Sequence, residues 1–257
     1  MINQQFSDKE QIVREVTLIG NGAHVFTPKE WAGEEVFIIR TPRQSLNKRI
    51  IGVLEPYLKY IEGAYLYGSY ARKEQRKDSD IDILIIVNKS FKINKKGFEI
   101  IVLEKDKIKK ATQFAPILIY SALAEAKPII NLGLLNELRK NYKPKTEDFK
   151  EYINETKNII RINEEFLDSY SIILRLRGIY LIGGLFSGKN CSYNDFKEWI
   201  LKDIKKDKNI KIDLDYIYKA YLKIKNGLKA NVEEDKLNLL LSILKIKVKK
   251  LEKRLYG

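Results

Sequence analysis

The stretch YGSYARKEQRKDSDIDILIIV, residues 67–87, limits the possible folds more than any other part of the chain. A Gly-Ser pair precedes a charged segment, and Asp80 and Asp82 then open an unbroken apolar run. That run is rich in β-branched residues and reads as a buried strand, so two carboxylates stand where the chain enters a core. Burying a carboxylate costs several kcal/mol unless a positive group sits against it. Residues two apart on a strand share a face, so Asp80 and Asp82 project side by side while Ile81 and Ile83 face the other way. Held together, the two repel, and one is pushed toward protonation unless a cation lies between them. Magnesium suits that position, because it takes one or two carboxylates plus substrate phosphates. The Gly68-Ser69 turn supplies the other half of such a site. A glycine leaving a strand lets backbone N–H groups come close to a ligand, and the start of the following helix attracts phosphate.

An isolated Asp-x-Asp is usually just the polar end of a turn. Here it coincides with a strand, Gly-Ser, a helix and Ser-Asp-x-Asp opening a second strand, with Asp80 twelve residues after Gly68. In that arrangement GSYARKEQRKDSDIDI resembles the Gly-Ser…Asp-x-Asp signature of the minimal nucleotidyltransferases of the DNA polymerase β superfamily. The matching positions are Gly68, Ser69, Ala71, Arg72, Glu74, Ser79, Asp80 and Asp82. The family often carries glycine where Lys73 stands.

The resemblance implies a third acidic ligand on a neighbouring strand, for which GFEIIVLE offers Glu99, with Glu104 as the weaker candidate. It also implies two Mg²⁺ ions held by Asp80, Asp82 and Glu99. Gly68, Ser69 and Arg72 would bind the nucleotide. A nucleoside monophosphate would pass from an NTP, with ATP favoured, to a hydroxyl of a protein, an RNA end or a small molecule, releasing pyrophosphate. A DNA-binding antitoxin or regulator, whose transferase fold mainly binds a partner protein, is the competing reading.

Three regions follow from the patterning, in an α+β arrangement. Residues 1–43 form a small β-hairpin segment, 44–132 an α/β domain with a mixed sheet, which the resemblance makes a pol β-type nucleotidyltransferase domain, and 133–257 an α-helical bundle. In the first, Asn21-Gly22 is a hairpin signal. The pattern predicts strands over 13–19, 23–27 and 35–40, with a helical turn from Pro28. LIGNGAHVFTPKEWAGEEVFIIR (18–40) resembles half of an AbrB/MazE-type swapped hairpin, a resemblance that implies a homodimer and possible contact with DNA. Three short strands also bury little on their own, which independently points to a partner. In the second region the pattern predicts a helix over 45–61, strands over 64–68, 81–87 and 98–103, and helices over 69–77 and 113–126. In the third it predicts helices near 146–167, 169–186, 193–206, 213–226 and 233–255. There Ser192 with Asp195 looks like a capping-box variant, and Gly227 suits a helix end. The tyrosines of this region are expected at the seams between helices.

Charge and rarer residues close off other classes. A net charge of +14 raises nucleic acid as a partner. Residues 1–45, however, hold five basic and six acidic side chains, so the excess lies downstream. From Lys219 to Arg254 eleven basic residues face four acidic ones. A lysine-rich helix face is usually a solvated surface, and heat-adapted chains favour the same Lys/Glu usage. One cysteine, Cys191, rules out an intramolecular disulfide framework and fits a reducing cytosol. MINQQFSDKEQ lacks an apolar signal region, and GIYLIGGLF (178–186) is far short of the roughly 20 residues of a membrane span. The expectation is a cytoplasmic protein with no membrane partner.

Three motif lookalikes fail. Asp78, Asp80 and Asp82 open like an EF-hand loop, but Ile83 and Lys89 stand where that loop needs glycine and glutamate. GGLFSGKN (183–190) approaches a phosphate-binding loop, but Asn190 replaces the hydroxyl that would ligate magnesium, and a helix ending in a turn is the better reading. His24 is the only histidine, so a histidine-dependent ribonuclease in the helical region is excluded; its hairpin position suggests a packed or interface residue.

Overall fold

The computed structural model describes residues 12, 14, 16–38, 45–76, 79–189, 191–204, 213–225 and 227–257, with the side chains of Ile204 and Lys225 excepted. The chain divides into two compact units, Met1–Ser45 and Leu46–Gly257.

In the first unit β1 (Thr17–Ile19) and β2 (Gly22–His24) pair antiparallel, Leu18 opposite Ala23, and a short helical turn follows at Lys29–Trp31. Asn21-Gly22 lies at this turn as expected, and Gly20 there takes a φ of 51°. The strands are shorter than the predicted 13–19 and 23–27; residues 13 and 15 lie outside the described residues. The third predicted strand is not formed. Residues 34–38 carry no strand structure, and 39–40 lie outside the described residues. An apolar run makes a strand only where a second backbone offers a ladder, and among the described residues none is paired with this segment. His24 packs edge-on against Phe26 at 4.6 Å and shares a hydrogen bond with Thr17 Oγ1 at 3.1 Å.

The second unit opens with α1 (Leu46–Leu54), tightened into a 3₁₀ turn over Glu55–Tyr60 where Pro56 enters. Then come β3 (Ile61–Tyr67), α2 (Gly68–Arg72), β4 (Ile81–Val87) and β5 (Phe98–Glu104). They are followed by α3 (Ile108–Phe114), α4 (Pro116–Glu125), β6 (Lys127–Ile130) and α5 (Leu132–Asn141). The sheet order is β5-β4-β3-β6; β4 and β5 run parallel, and β3 runs antiparallel to both β4 and β6. The mixed sheet is as expected, with β6 as an unpredicted fourth strand.

Two other sequence readings are corrected here. The expected helix 113–126 is two helices, because Pro116 lacks the N–H that would continue α3 and instead occupies the first turn of α4. The expected helix 69–77 ends at Arg72, where Lys73 turns left-handed at φ 62°.

Strand alternation sorts the core onto both faces of the sheet. Ile81, Ile83, Ile85 and Val87 pack with Ile50 and Leu54 of α1. Leu84 and Ile86 face the other way with Tyr65 and Tyr67, under Ile119, Leu123, Leu135 and Leu138 of α4 and α5. Asp82 has the parity of Leu84, so it belongs to the face that α4 covers.

The remaining helices are α6 (Lys150–Glu165), α7 (Ser169–Leu185), α8 (Tyr193–Ile204), α9 (Leu214–Lys225) and α10 (Glu234–Tyr256). They share one apolar core, which Tyr120 of α4 joins, its hydroxyl donating to Asp148 at 2.8 Å. Tyrosines do line the seams: Tyr170 stacks on Tyr221 at 5.3 Å, and Tyr193 lies 4.4 Å from Tyr218. Arg76, beyond α2, sits over both Tyr193 and Tyr218, at 5.0 and 5.9 Å, and so ties the transferase segment to these helices.

Ser192 Oγ accepts from Asp195 N–H at 2.9 Å and donates to the Asp195 carboxylate at 2.7 Å, so the serine cap forms while its partner bonds the hydroxyl. Gly227 follows α9 at φ 75°. The GGLFSGK lookalike is the end of α7, with Gly188 at φ 61° and Ser187 bonded back to the Gly183 carbonyl.

Candidate active site

The site is built at one end of the sheet, where β3 ends and β4 and β5 begin. Tyr67, the last residue of β3, is in register with Asp82, and Asp82 is in register with Glu99 on the parallel neighbour β5. Two of the expected acidic groups therefore stand on adjacent strands at the same level. Asp80 enters from the segment just before β4 and is exposed, Asp82 is half-buried, and Glu99 is exposed. Glu104 is at the opposite end of β5, in register with Val87, and its carboxylate pairs with Lys107 Nζ at 2.6 Å. It stands seventeen or so ångströms along the strand from Glu99, too far to share a ligand with Asp82.

Gly68 is required twice over. It holds φ 68°, a conformation that side chains rarely adopt, and a Cβ built on it would lie 2.7 Å from the Asp82 Cγ. The glycine is what lets the Asp82 carboxylate come against the turn. Lys73 stands where relatives often carry glycine, and the backbone shows why glycine suits that place: φ 62° and ψ 34° are left-handed, and the Lys73 N–H closes the short helix onto the Ser69 and Tyr70 carbonyls.

The sequence reading missed Glu125. It is the last residue of α4, the helix covering the Asp82 face, and it reaches back to Arg72, which bonds Glu125 through Nη1 and Glu74 through Nε at 3.0 Å. Burial pushes the Glu125 carboxyl above the ordinary range; Arg72, the Gly68 N–H and Arg177 of α7 partly offset this. Arg177 is half-buried, and its own burial opposes its charge, but Tyr218, Tyr221 and Glu125 hold the guanidinium charged. The Tyr67 hydroxyl is pushed up, chiefly by burial and then by Asp82, Glu99 and Glu125. Those three carboxylates thus act on one phenol at the end of β3. The only sequence-level signal for Glu125 is a lone carboxylate in the apolar run PILIYSALAEA; nothing local says what it approaches.

The donor set of Asp80, Asp82 and Glu99 is all hard oxygen, which fits magnesium and not a thiolate- or imidazole-seeking metal. The in-register pair of Asp82 and Glu99, with a glycine where a side chain would crowd Asp82, is the observation behind that fit. Among the described residues no three His, Cys, Asp or Glu side chains are close enough together to share one ion.

The profile of the nucleotidyltransferase domain matches residues 48–180, just over half of the chain. The chain belongs to this family. It is an NTP-dependent nucleotidyltransferase, and the matched span takes in the whole sheet, α2, Glu125 and most of α7.

Among solved structures, spectinomycin adenyltransferase AAD(9) from Enterococcus faecialis, solved with ATP and spectinomycin, is similar at 17% identity and TM-score 0.44. The alignment covers 79% of this chain and 97% of that one. A nucleotidyltransferase-like protein from Exiguobacterium sibiricum is similar at 12% identity and TM-score 0.32, over 80% of this chain and 75% of that one. Both likenesses are distant, and the family assignment rests on the profile. No curated protein matches the chain by sequence. Among the described residues no helix is long and apolar enough to cross a membrane.

Proposed function

We propose that the protein transfers a nucleoside monophosphate from an NTP, with ATP the favoured donor, to a hydroxyl acceptor, using two Mg²⁺ ions divided among Asp80, Asp82 and Glu99. The observation that carries this reading is the register of Asp82 with Glu99 beside the left-handed Gly68, within the span that the family profile matches. Bound there, magnesium would neutralise the phosphates and lower the pKa of the acceptor hydroxyl.

The chain's own residues do the positioning. Gly68 and Ser69 present backbone to the phosphates at the exit of β3, and the missing Cβ keeps the Asp82 carboxylate against that turn. Arg72 contributes its charge beside the same turn, and its two ion pairs fix it there. Glu125, bonded to Arg72 and to the Gly68 N–H, sets where the turn stands relative to α4 and, through Arg177, to α7. Holding reactants in place and neutralising charge supply most of the rate in such a reaction. The first unit, with its exposed apolar strands, serves as the dimer contact in this reading.

The test is to incubate the purified full chain with Mg²⁺ and each of labelled ATP, GTP, CTP and UTP in turn, with candidate acceptors, and to measure pyrophosphate and labelled product. Label transfer with pyrophosphate release is the expected result. Hydrolysis to free phosphate, or no turnover with any of the four, contradicts the proposal.

A further inference from the structure

A cavity of about 640 Å³ lies among the C-terminal helices, between α7, α8, α10 and the segment joining α7 to α8. That size is in the range of small-ligand pockets, roughly 300–1,000 Å³. Its lining carries five cations, Lys189, Lys202, Lys247, Lys250 and Arg254, against two carboxylates, Asp195 and Glu198.

The charges are not equivalent. Lys247 is buried, with its ammonium 2.9 Å from the Trp199 carbonyl, 4.0 Å from the Trp199 ring centre and 3.0 Å from the Asp203 carboxylate. Lys250 reaches the same Asp203 at 3.5 Å, so one carboxylate serves two ammonium groups. Asp195 is committed to the Ser192 cap. Arg254 leans on the Ser187 hydroxyl at 3.2 Å and keeps the rest of its donors, while Lys189 and Lys202 are exposed at the rim. Among the described residues these five cations outnumber the three carboxylates around them, Asp195, Glu198 and Asp203.

At its Cys191 edge the cavity lies near the segment that follows the transferase turn: Tyr193, two residues beyond Cys191, sits under the Arg76 guanidinium at 5.0 Å. Cys191, on its wall, has a thiol pushed up to about 11, chiefly by burial and then by Glu125, with Arg72 opposing. Tyr180, on the same wall, shares a hydrogen bond with Cys191 and feels Asp195 and Glu74 in addition to its burial. The Cys191 edge is therefore within electrostatic reach of the cluster that holds Gly68.

From the cavity, its uncompensated cations and this neighbourhood we infer that it receives the acceptor, and that the acceptor bears phosphate: an RNA end or a phosphorylated small molecule. The inference rests on the transferase reading above. It deepens that reading by excluding polycationic acceptors and protein side chains without phosphate. Arg254 and Lys202 supply charge-assisted hydrogen bonds to phosphate oxygens, and the apolar wall of Ile179, Trp199 and Leu251 takes the body of the ligand.

Trp199 gives a direct readout, because the chain has only two tryptophans and the other is Trp31. The test is a fluorescence titration of full-length Trp31→Phe in EDTA without NTP, with ribose 5-phosphate, a single-stranded RNA tetranucleotide and uncharged ribose as probes. A saturable change with ribose 5-phosphate or RNA, and none with ribose, is expected, and whichever phosphate probe responds identifies the source. Arg254→Ala with Lys202→Ala should weaken binding about tenfold or more, whereas Lys219→Ala on α9, outside the cavity, should leave it unchanged. Arg254→Lys should restore part of the loss.

No saturable response to either phosphate probe overturns the inference. Equal weakening by Lys219→Ala overturns it too, since binding would then follow net charge alone. Asp82→Asn should leave probe binding unchanged; a tightening would move the phosphate to the transferase turn, where that carboxylate repels it in the absence of metal. The titration contains no metal and no NTP, so its failure is separate from any failure of nucleotide transfer.

Discussion

The first unit and the transferase sheet both begin as apolar strands joined by a glycine-containing turn, yet they end in opposite states. In β4, Ile81 and Ile83–Val87 are all buried, with α1 on one face and α4 and α5 on the other. In the first unit Leu18 of the hairpin is 89% exposed and Phe37 beyond it 83%, and no described residue of that unit is buried. Two three-residue strands have too little surface to bury each other. An apolar pattern marks what wants to be buried; the amount of chain brought against it decides whether it is. The transferase unit can then hold carboxylates and a strained turn in a fixed geometry. The hairpin unit, on this reading, obtains its burial from a second copy.

The comparison breaks most severely at the transferase end. Asp80→Asn and Asp82→Asn should each lower transfer by roughly 10²–10³-fold, the scale seen when a charge-stabilising group is removed. Both variants should fold normally, because each removes a carboxylate that repels its neighbours. Near-normal turnover in either, measured as pyrophosphate release, would mean the buried sheet does not serve the chemistry proposed for it.

The next test separates the two ends of β5. Glu99→Gln should cost most of the activity and Glu104→Gln little, since Glu99 is in register with Asp82 and Glu104 with Val87. Steady-state rates of the pair decide it; the reverse ranking would discredit the in-register site.

How much of this was legible beforehand differs between the same two regions. β4 is legible to the residue because IDILIIV, apolar but for Asp82, has one plausible state between a charged loop and Asn88. β6 was not, because KPII is short and carries Pro128, and it becomes a strand only where β3 offers an edge. The site divides in the same way. Gly68, Asp80 and Asp82 are near one another in sequence and could be read together. Glu125 lies 53 residues from Arg72, and only the return of α4 over the Asp82 face gives it a role. In the first unit the apolar run over 36–39 predicts a third strand, but a strand needs a partner backbone, and none is paired with it among the described residues.

Deleting residues 1–43 tests the other side of the comparison. We expect the full chain to be a dimer by light scattering and the truncated protein a monomer, with nucleotide binding retained because all the proposed ligands lie later in the chain. Sheet edges with exposed apolar side chains seek partners. A truncated protein that stays dimeric would show that the hairpin's exposed face is not the contact and that the swapped-hairpin resemblance misleads. The segment's five basic and six acidic residues give it little pull on phosphates, so the same deletion should leave general affinity for DNA almost unchanged.

The smallest expected effect lies in the two units' left-handed turns. In the hairpin unit both described positions with positive φ, Gly20 and Gly33, are glycines. In the transferase unit Lys73 and Asn131 also take positive φ. Asn131 has local compensation: its Oδ1 accepts from Leu134 N–H at 3.0 Å and its Nδ2 donates to the Glu62 carbonyl at 2.9 Å. Among the described residues Lys73 has only its backbone bonds to Ser69 and Tyr70, so its side chain bears the left-handed penalty of about 1–2 kcal/mol. Glycine at this position gives back roughly 0.5–1 kcal/mol of that as unfolded-state entropy. Lys73→Gly should therefore raise stability by about 0.5–1 kcal/mol, seen as a higher urea midpoint at an unchanged slope. A lower midpoint would show that the Lys73 side chain makes an interaction worth more than the strain. An unchanged midpoint would show that the surrounding core has already relaxed the turn, in which case burial of the sheet, not the identity of residue 73, holds Gly68 and Asp82 together.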